Sequence, residues 1–393
     1  MSCPYAGTLS AASGAPLARP LQEVLPNAVT GRYRSIEDPA TVREILRRAE
    51  DFTPANALHA AVELAPATLR ILARGRFALP PVLASATGPE HLAVRRVVAG
   101  FFSPAKVAAQ AQFITSRTGQ LCRQLREELD AGAELDLAVE LAAVIPPEVM
   151  ARLTGTPVPP VEKLKRWSRD SLELFWGWPD AQRQQELARS AVEYHAWLRG
   201  TVADALARDD ENLYAALHQA GVDAKRIVSL AYFLGIAGQE TTAMLIQSAL
   251  FCALHDGDWA DCADPDNGDS ASARVVQRVL LEASSVPTWR RITRVDTELG
   301  GERFAPGDEL VLRLSGGQLA ESGDDSLVFG FGLHRCLGAG LARMETEVVL
   351  RTAAEAWPKL ELVDSNQPWG HLVSFQSPTT VRVRRATFER TQP

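Results

Sequence analysis

The chain has 393 residues, 46% hydrophobic and 23% charged, the make-up of an ordinary globular protein and not of a disordered one. Its 41 Lys and Arg against 48 Asp and Glu leave a net charge of −7, which argues against wholesale nucleic-acid binding and against a polybasic membrane anchor. The five cysteines (Cys3, Cys122, Cys252, Cys262 and Cys336) are odd in number, widely spread and without zinc-ligand spacing, so a reducing, cytoplasmic setting without disulfides is expected.

In chain order, Met1–Tyr5 opens without the basic and apolar stretches of a secretion signal. No apolar run reaches the roughly 18 residues of a spanning helix, so no membrane partner is expected. Residues 1–30, rich in Pro, Gly, Ala and Ser, predict an irregular surface segment. Helical periodicity follows over Ala40–Arg48, Leu92–Gly100, Ala105–Ala131, Leu135–Leu153, Val161–Leu174 and Asp180–Ala207, the last with Trp197 on its core side. Ile227–Leu254 is apolar nearly all round and predicts a buried helix. Asp256–Ser272 predicts a polar loop, and Arg290–Thr293, Glu309–Leu314 and Val381–Arg385 read as short strands. With no repeat and no linker, this is a mainly α chain with a small β region, expected to form one domain over 1–393.

The sharpest motif is Phe329-Gly330-Phe331-Gly332-Leu333-His334-Arg335-Cys336-Leu337-Gly338, ahead of a helical run over Ala339–Trp357. Glycines allow a tight backbone and close approach to a flat ligand. A cysteine just before a helix meets unpaired amides and a dipole that favour its thiolate. The segment resembles the haem-binding signature of cytochromes P450. By that resemblance Cys336 is the axial iron ligand, Phe329 packs beside its sulfur, His334 lies near a haem propionate, and Gly330 and Gly338 belong to the haem loop.

A second motif, Ala237-Gly238-Gln239-Glu240-Thr241-Thr242, places a carboxylate and two threonines inside the most apolar helix. Such groups are costly there unless satisfied or used. Thr241 is placed to back-bond to the Ala237 carbonyl and bend the helix, while Gly238 leaves room beside the backbone. Ala237, Glu240 and Thr241 are expected to share one face. The motif is similar to the P450 oxygen-side motif, which implies that Glu240 and Thr241 relay protons during dioxygen activation.

Two further segments fit the same family. Gly88–Arg96 resembles its third helix, which implies that His91 and Arg95 face the propionates. Arg291–Gly301 resembles the strand in which a leading arginine, here Arg291, holds a propionate. The neighbouring Arg290 is expected to be a solvated surface residue. By resemblance, substrate contacts fall at Ala237, Val286–Trp289, near Leu83 and at Ser374–Ser377.

Two departures stand out. Where the family carries a Glu-x-x-Arg motif, this chain has Arg278 and Leu281, within Gln277–Glu282. The segment Ser315–Asp325 runs almost directly into the cysteine loop and lacks the family's further arginine. A Glu–Arg–Arg network is therefore expected to be absent from the proximal side.

The resemblance implies a P450 fold, haem b, and a monooxygenase oxidising a small hydrophobic molecule in secondary metabolism. It implies electrons from a ferredoxin and its reductase, since no flavin or iron–sulfur motif is evident. Peroxide-driven oxidation, ring formation or rearrangement, and a non-catalytic binding module remain the alternatives at this level.

Overall fold

The computed structural model of the chain describes residues 15–16, 19–208, 210–323 and 325–386. Residues 1–14 and 17–18 of the expected irregular segment lie outside these. The rest of that segment departs from expectation. Helices α1 (Leu21–Val24) and α2 (Asn27–Thr30) form there. Leu21, Leu25 and Val29 recur every four residues and are buried against Tyr33, Val311 and Val373.

Strand β1 (Tyr33–Ile36) leads into α3 (Pro39–Arg47), whose first turn is capped by the Asp38 carboxylate, 2.8 Å from the Thr41 amide. After β2 (Phe52–Thr53) come α4 (Pro66–Arg74), α5 (Gly88–Phe101) and α6 (Pro104–Ala108). Each of these three helices begins with proline in its first turn, where no amide donor is missed. The helix expected over Ala105–Ala131 is divided at Ala109–Gln110 into α6 and α7 (Ala111–Asp130).

The helix expected over Leu135–Leu153 is a correction. Its first residues form strand β3 (Leu135–Asp136), then a wide turn closed by the Ala143 amide on the Ala138 carbonyl, and only then α8 (Ile145–Thr154). The Asp136 carboxylate accepts from the amides of Ala138 and Val381, which fixes the extended segment and stops the helix from starting earlier.

Helices α9 (Val161–Trp176) and α10 (Ala181–Arg208) match their expected spans closely, and α11 (Leu213–Gln219) follows. Trp197 packs against the Trp167 and Tyr194 rings, in the core role expected. The long apolar helix is divided into α12 (Ala224–Ala237) and α13 (Glu240–His255) by a break at Gly238–Gln239. The expected polar loop contains α14 (Trp259–Ala263) and the start of α15 (Gly268–Glu282). Trp259 and Cys262 are buried there and give the segment an apolar side.

The β region comprises β4 (Thr288–Thr293), β5 (Thr297–Leu299), β6 (Glu302–Phe304) and β7 (Glu309–Arg313). Next come α16 (Gln318–Ser322) and α17 (Ala339–Ala356), then β8 (Leu360–Leu362), β9 (Trp369–His371), β10 (Gln376–Pro378) and β11 (Arg382–Arg385). The main sheet runs β1-β7-β4-β2, with β1 parallel to β7 and the other pairs antiparallel. Side chains alternate across a strand, so Trp289 and Arg291 share one face of β4 while Thr288 and Arg290 share the other. The architecture is mainly helical with small sheets, as the periodicity predicts.

Candidate active site

The cysteine loop is a tight hairpin tied by its own backbone. The Gly330 amide donates to the Leu327 carbonyl at 2.7 Å, and the Cys336 amide to the Phe329 carbonyl at 2.9 Å. Gly330 (φ +70°) and Gly332 (φ +66°) take left-handed conformations that favour glycine. A β-carbon at Gly332 would also stand 3.1 Å from the Leu46 carbonyl oxygen, so α3 closes over this turn. Cys336 is accessible because it faces an open cavity, although it sits deep in the fold. Burial pushes its thiol up, opposed by the Gly338 amide and by the Arg95 and Arg335 guanidinium groups. Those three groups are positioned to favour an anionic sulfur.

The cavity has a volume of about 230 Å³. It brings together Arg95, Ala237, Gly238, Thr241, Arg291, Phe329, Gly330, His334, Cys336 and Gly338, from stretches spread over most of the chain. His91 joins them through its ring, 4.8 Å from that of His334. Glu240 does not line the cavity.

One end of the cavity is unusually rich in donors. Arg291 is buried, and burial alone pulls its guanidinium down to about 10. One of its terminal nitrogens reaches the Arg290 carbonyl at 2.8 Å, while Nε makes no hydrogen bond. Neither ring nitrogen of His91 is hydrogen-bonded, and His334 Nδ1 is also unpartnered. His334 donates from Nε2 to the Ala86 carbonyl at 2.8 Å, and burial with nearby Arg291 pushes its pKa down to about 3. Arg95 donates to the Arg335 carbonyl. The orphaned Arg291 Nε and the unpartnered His91 ring, beside the Arg95 guanidinium, fit an anionic ligand brought in from outside.

On the opposite wall the α12/α13 break is stabilised by side chains. Thr241 Oγ1 donates to the Ala237 carbonyl at 2.7 Å, the back-bond expected from the motif. The Gln239 amide donates to the Gly235 carbonyl at 2.8 Å and to Ser168 Oγ at 2.7 Å. Each carbonyl lies four residues before the side chain that satisfies it, so the side chains take the place of helical amides.

Glu240 corrects the expectation of a shared face. Ala237 and Thr241 line the cavity, but the Glu240 carboxylate is held by Lys165 Nζ from α9 at 3.0 Å. The same ammonium reaches Gln239 Oε1 at 2.5 Å. Both charged side chains are only 7% exposed. Burial pulls the Lys165 ammonium down, and Glu240 and the buried Glu345 of α17 oppose that shift. Glu345 is itself pushed up to about 8 by burial.

At the positions corresponding to the family's Glu-x-x-Arg motif, Arg278 pairs with Asp256 and Asp258 at 2.9 and 2.6 Å, and the Leu281 carbonyl accepts from the Gly316 amide. A different set of polar contacts links α15 to the cysteine loop. Gln277 Nε2 and Arg343 Nη2 both donate to Asp325 Oδ2, at 3.0 and 3.1 Å, and Arg343 also donates to Gln277 Oε1. The Arg343 guanidinium lies 5.9 Å from the Phe329 ring centroid. Arg290 is a second correction. It is buried and donates to Tyr33 Oη and to the Ala57 and Phe175 carbonyls, because strand alternation turns it inward, opposite Arg291.

No protein-family model matches the sequence. Individual proteins do. Over the whole fold the chain superposes on cytochrome P450 CREJ, in its complex with (4-ethylphenyl) dihydrogen phosphate, with a TM-score of 0.84. That match has 26% identity and covers 98% of this chain and 99% of the other. The chain's solved and curated neighbours consistently identify it as a cytochrome P450. Cytochrome P450 105C1 of a Streptomyces species is 29% identical to it over 317 residues, covering 75% of this chain and 78% of the relative. The steroid C26-monooxygenase of Mycobacterium tuberculosis (strain H37Rv) is 25% identical over 302 residues, covering 72% and 74%. The protein is a P450 oxidoreductase, and the family implies a haem cofactor, redox partners and an organic substrate. Among the described residues no helix is long and apolar enough to cross a membrane.

Lys165, Gln239, Arg290 and the Gln277–Asp325–Arg343 contacts escaped sequence reasoning. For Lys165 a signal was available: a lysine on the apolar stripe of α9 requires a buried carboxylate partner.

Proposed function

We propose that the chain is a monooxygenase that uses haem b in the cavity to oxidise a small hydrophobic molecule in secondary metabolism. Electrons come from a ferredoxin and its reductase in the cytoplasm. The observation that carries this reading is the cavity itself. A cysteine with nearby donors faces one side, a broken helix lies on another, and the Arg95 and Arg291 guanidinium groups stand at one end. When bound, the haem supplies dioxygen activation, and a thiolate ligand favours O–O cleavage.

Cys336 would bind the haem iron through its sulfur, with Phe329, Gly330 and Gly338 lining the cavity beside it. Arg95, Arg291 and His91 would hold the propionates, with the neutral His334 ring packed beside them, which explains why Arg291 Nε and the His91 ring have no protein partner. Ala237 and Gly238 leave space at the helix break. Thr241 Oγ1 holds and passes a proton at the cavity wall, with Glu240 resupplying it from the Lys165 pair outside the cavity. The apolar lining excludes water from the rest of the space.

The test is coupling efficiency with ferredoxin and reductase. Thr241→Ala is expected to keep consuming electrons and oxygen while product per oxygen falls about tenfold or more, within the usual contribution of positioned proton transfer. Unchanged coupling removes the relay from the account.

A further inference from the structure

Accepting that this cavity is the oxidation site, we propose that its substrate is a neutral, flat aromatic molecule. It stacks on the half-buried Trp289 ring, which the buried Trp176 and Phe375 rings back, with the Ser285 hydroxyl as its polar contact. The three rings line the cavity and brace one another. Phe375 stands perpendicular to Trp176 and Trp289, at centroid distances of 5.1 and 6.2 Å, and the two indoles are 6.3 Å apart. They come from the end of α9, from β4 and from the turn before β10, so no single loop movement displaces the wall.

Trp176 is anchored from outside the cavity. The Arg290 guanidinium, which does not line the space, lies 5.5 Å from the Trp176 ring and donates to the Phe175 carbonyl at the end of α9. A rigid aromatic wall favours ligands that offer an aromatic face or edge, since such contacts add to simple area burial.

Charge narrows the class further. Among the described residues no Asp, Glu or Lys lines the cavity, so a cationic ligand meets no carboxylate counter-ion. Its arginines, Arg95, Arg291 and Arg335, gather at the end with His334, where the propionates are assigned. An anionic ligand would compete for them or lie unpaired in an apolar space, where an unpaired charge is costly. Ser285 lines the cavity, and its hydroxyl makes no hydrogen bond among the described residues, which leaves it free for one polar group of a ligand.

The holoprotein is titrated with 2-naphthol, 2-naphthyl phosphate and dodecanoate, following both the haem absorption shift and equilibrium dialysis. The reduced, carbon-monoxide-bound spectrum serves as control for the haem site. The expected result is 2-naphthol bound about tenfold or more tightly than either anion. Trp176→Ala and, independently, Phe375→Leu weaken 2-naphthol about tenfold with the control spectrum retained. Ser285→Ala weakens 2-naphthol several-fold and leaves naphthalene unchanged. Tighter binding of dodecanoate or the phosphate, no binding of any probe, or indifference to both ring substitutions overturns the substrate class. Loss of the control spectrum in the unmodified protein overturns the haem reading instead.

Discussion

The two sides of the cavity are held by polar networks of opposite character. At the helix break, Lys165 and Glu240 form a pair with side chains 7% exposed, tied to Gln239 and Ser168. Behind the cysteine loop, Arg343 and Asp325 are 30% and 43% exposed, and a neutral Gln277 completes the set. A buried pair contributes little net stability when intact but is costly to break. A half-exposed pair costs little either way. The helix break is thus a place where one lost charge is felt throughout the fold. The cysteine loop is a place where polar contacts tune a backbone already fixed by its own hydrogen bonds.

The largest effect expected from this contrast is at Lys165. Lys165→Met leaves the Glu240 carboxylate buried and unpaired, and is expected to cost about 3–5 kcal/mol in chemical denaturation. The double variant Lys165→Met/Glu240→Gln is expected to recover most of that loss. A single variant of wild-type stability breaks the comparison.

The next effect concerns Glu345, buried in α17, whose pKa is raised from 4.5 to about 8. The folded protein keeps a proton there that the unfolded chain releases, so stability falls as pH rises from about 4.5 to 8. Glu345→Gln removes that dependence. Its stability relative to wild type is expected to improve between pH 5 and 8, by an amount on the order of a few kcal/mol. An equal difference at both pH values contradicts the assignment.

The smallest effect is expected on the exposed side. Arg343→Ala is expected to change stability by less than about 1 kcal/mol. Its signature is faster haem transfer to an acceptor apoprotein and a larger fraction of the carbon-monoxide complex without thiolate ligation. Arg343→Lys, which keeps the charge but not the fork, is expected to rescue part of both. A loss of several kcal/mol erases the distinction between the two sides.

The same contrast explains what was legible in the sequence. The helix break and the cysteine loop are local. Residues 237–242 and 329–338 carry their chemistry contiguously, and the Thr241 back-bond was expected and found. Long-range pairing was not legible. Gln277 and Arg343 meet across 66 positions, and Lys165 reaches Glu240 across 75. Spacing gave Glu240 the same face as Ala237 and Thr241, but the partner on α9 decided where its carboxylate went. Arg290 was misplaced for a related reason. Arginine is usually solvated, and only strand alternation opposite a cavity-facing Arg291 shows that it must turn inward. Leu135–Asp136 was read as helix because its partner strand lies near the far end of the chain.

The most direct test of the account is the reduced, carbon-monoxide-bound absorption spectrum of the haem-loaded protein beside that of Cys336→Ser. The account predicts the red-shifted Soret band of thiolate ligation in the parent and its loss in the variant. The same band in both proteins, or no haem bound by the parent, would contradict it.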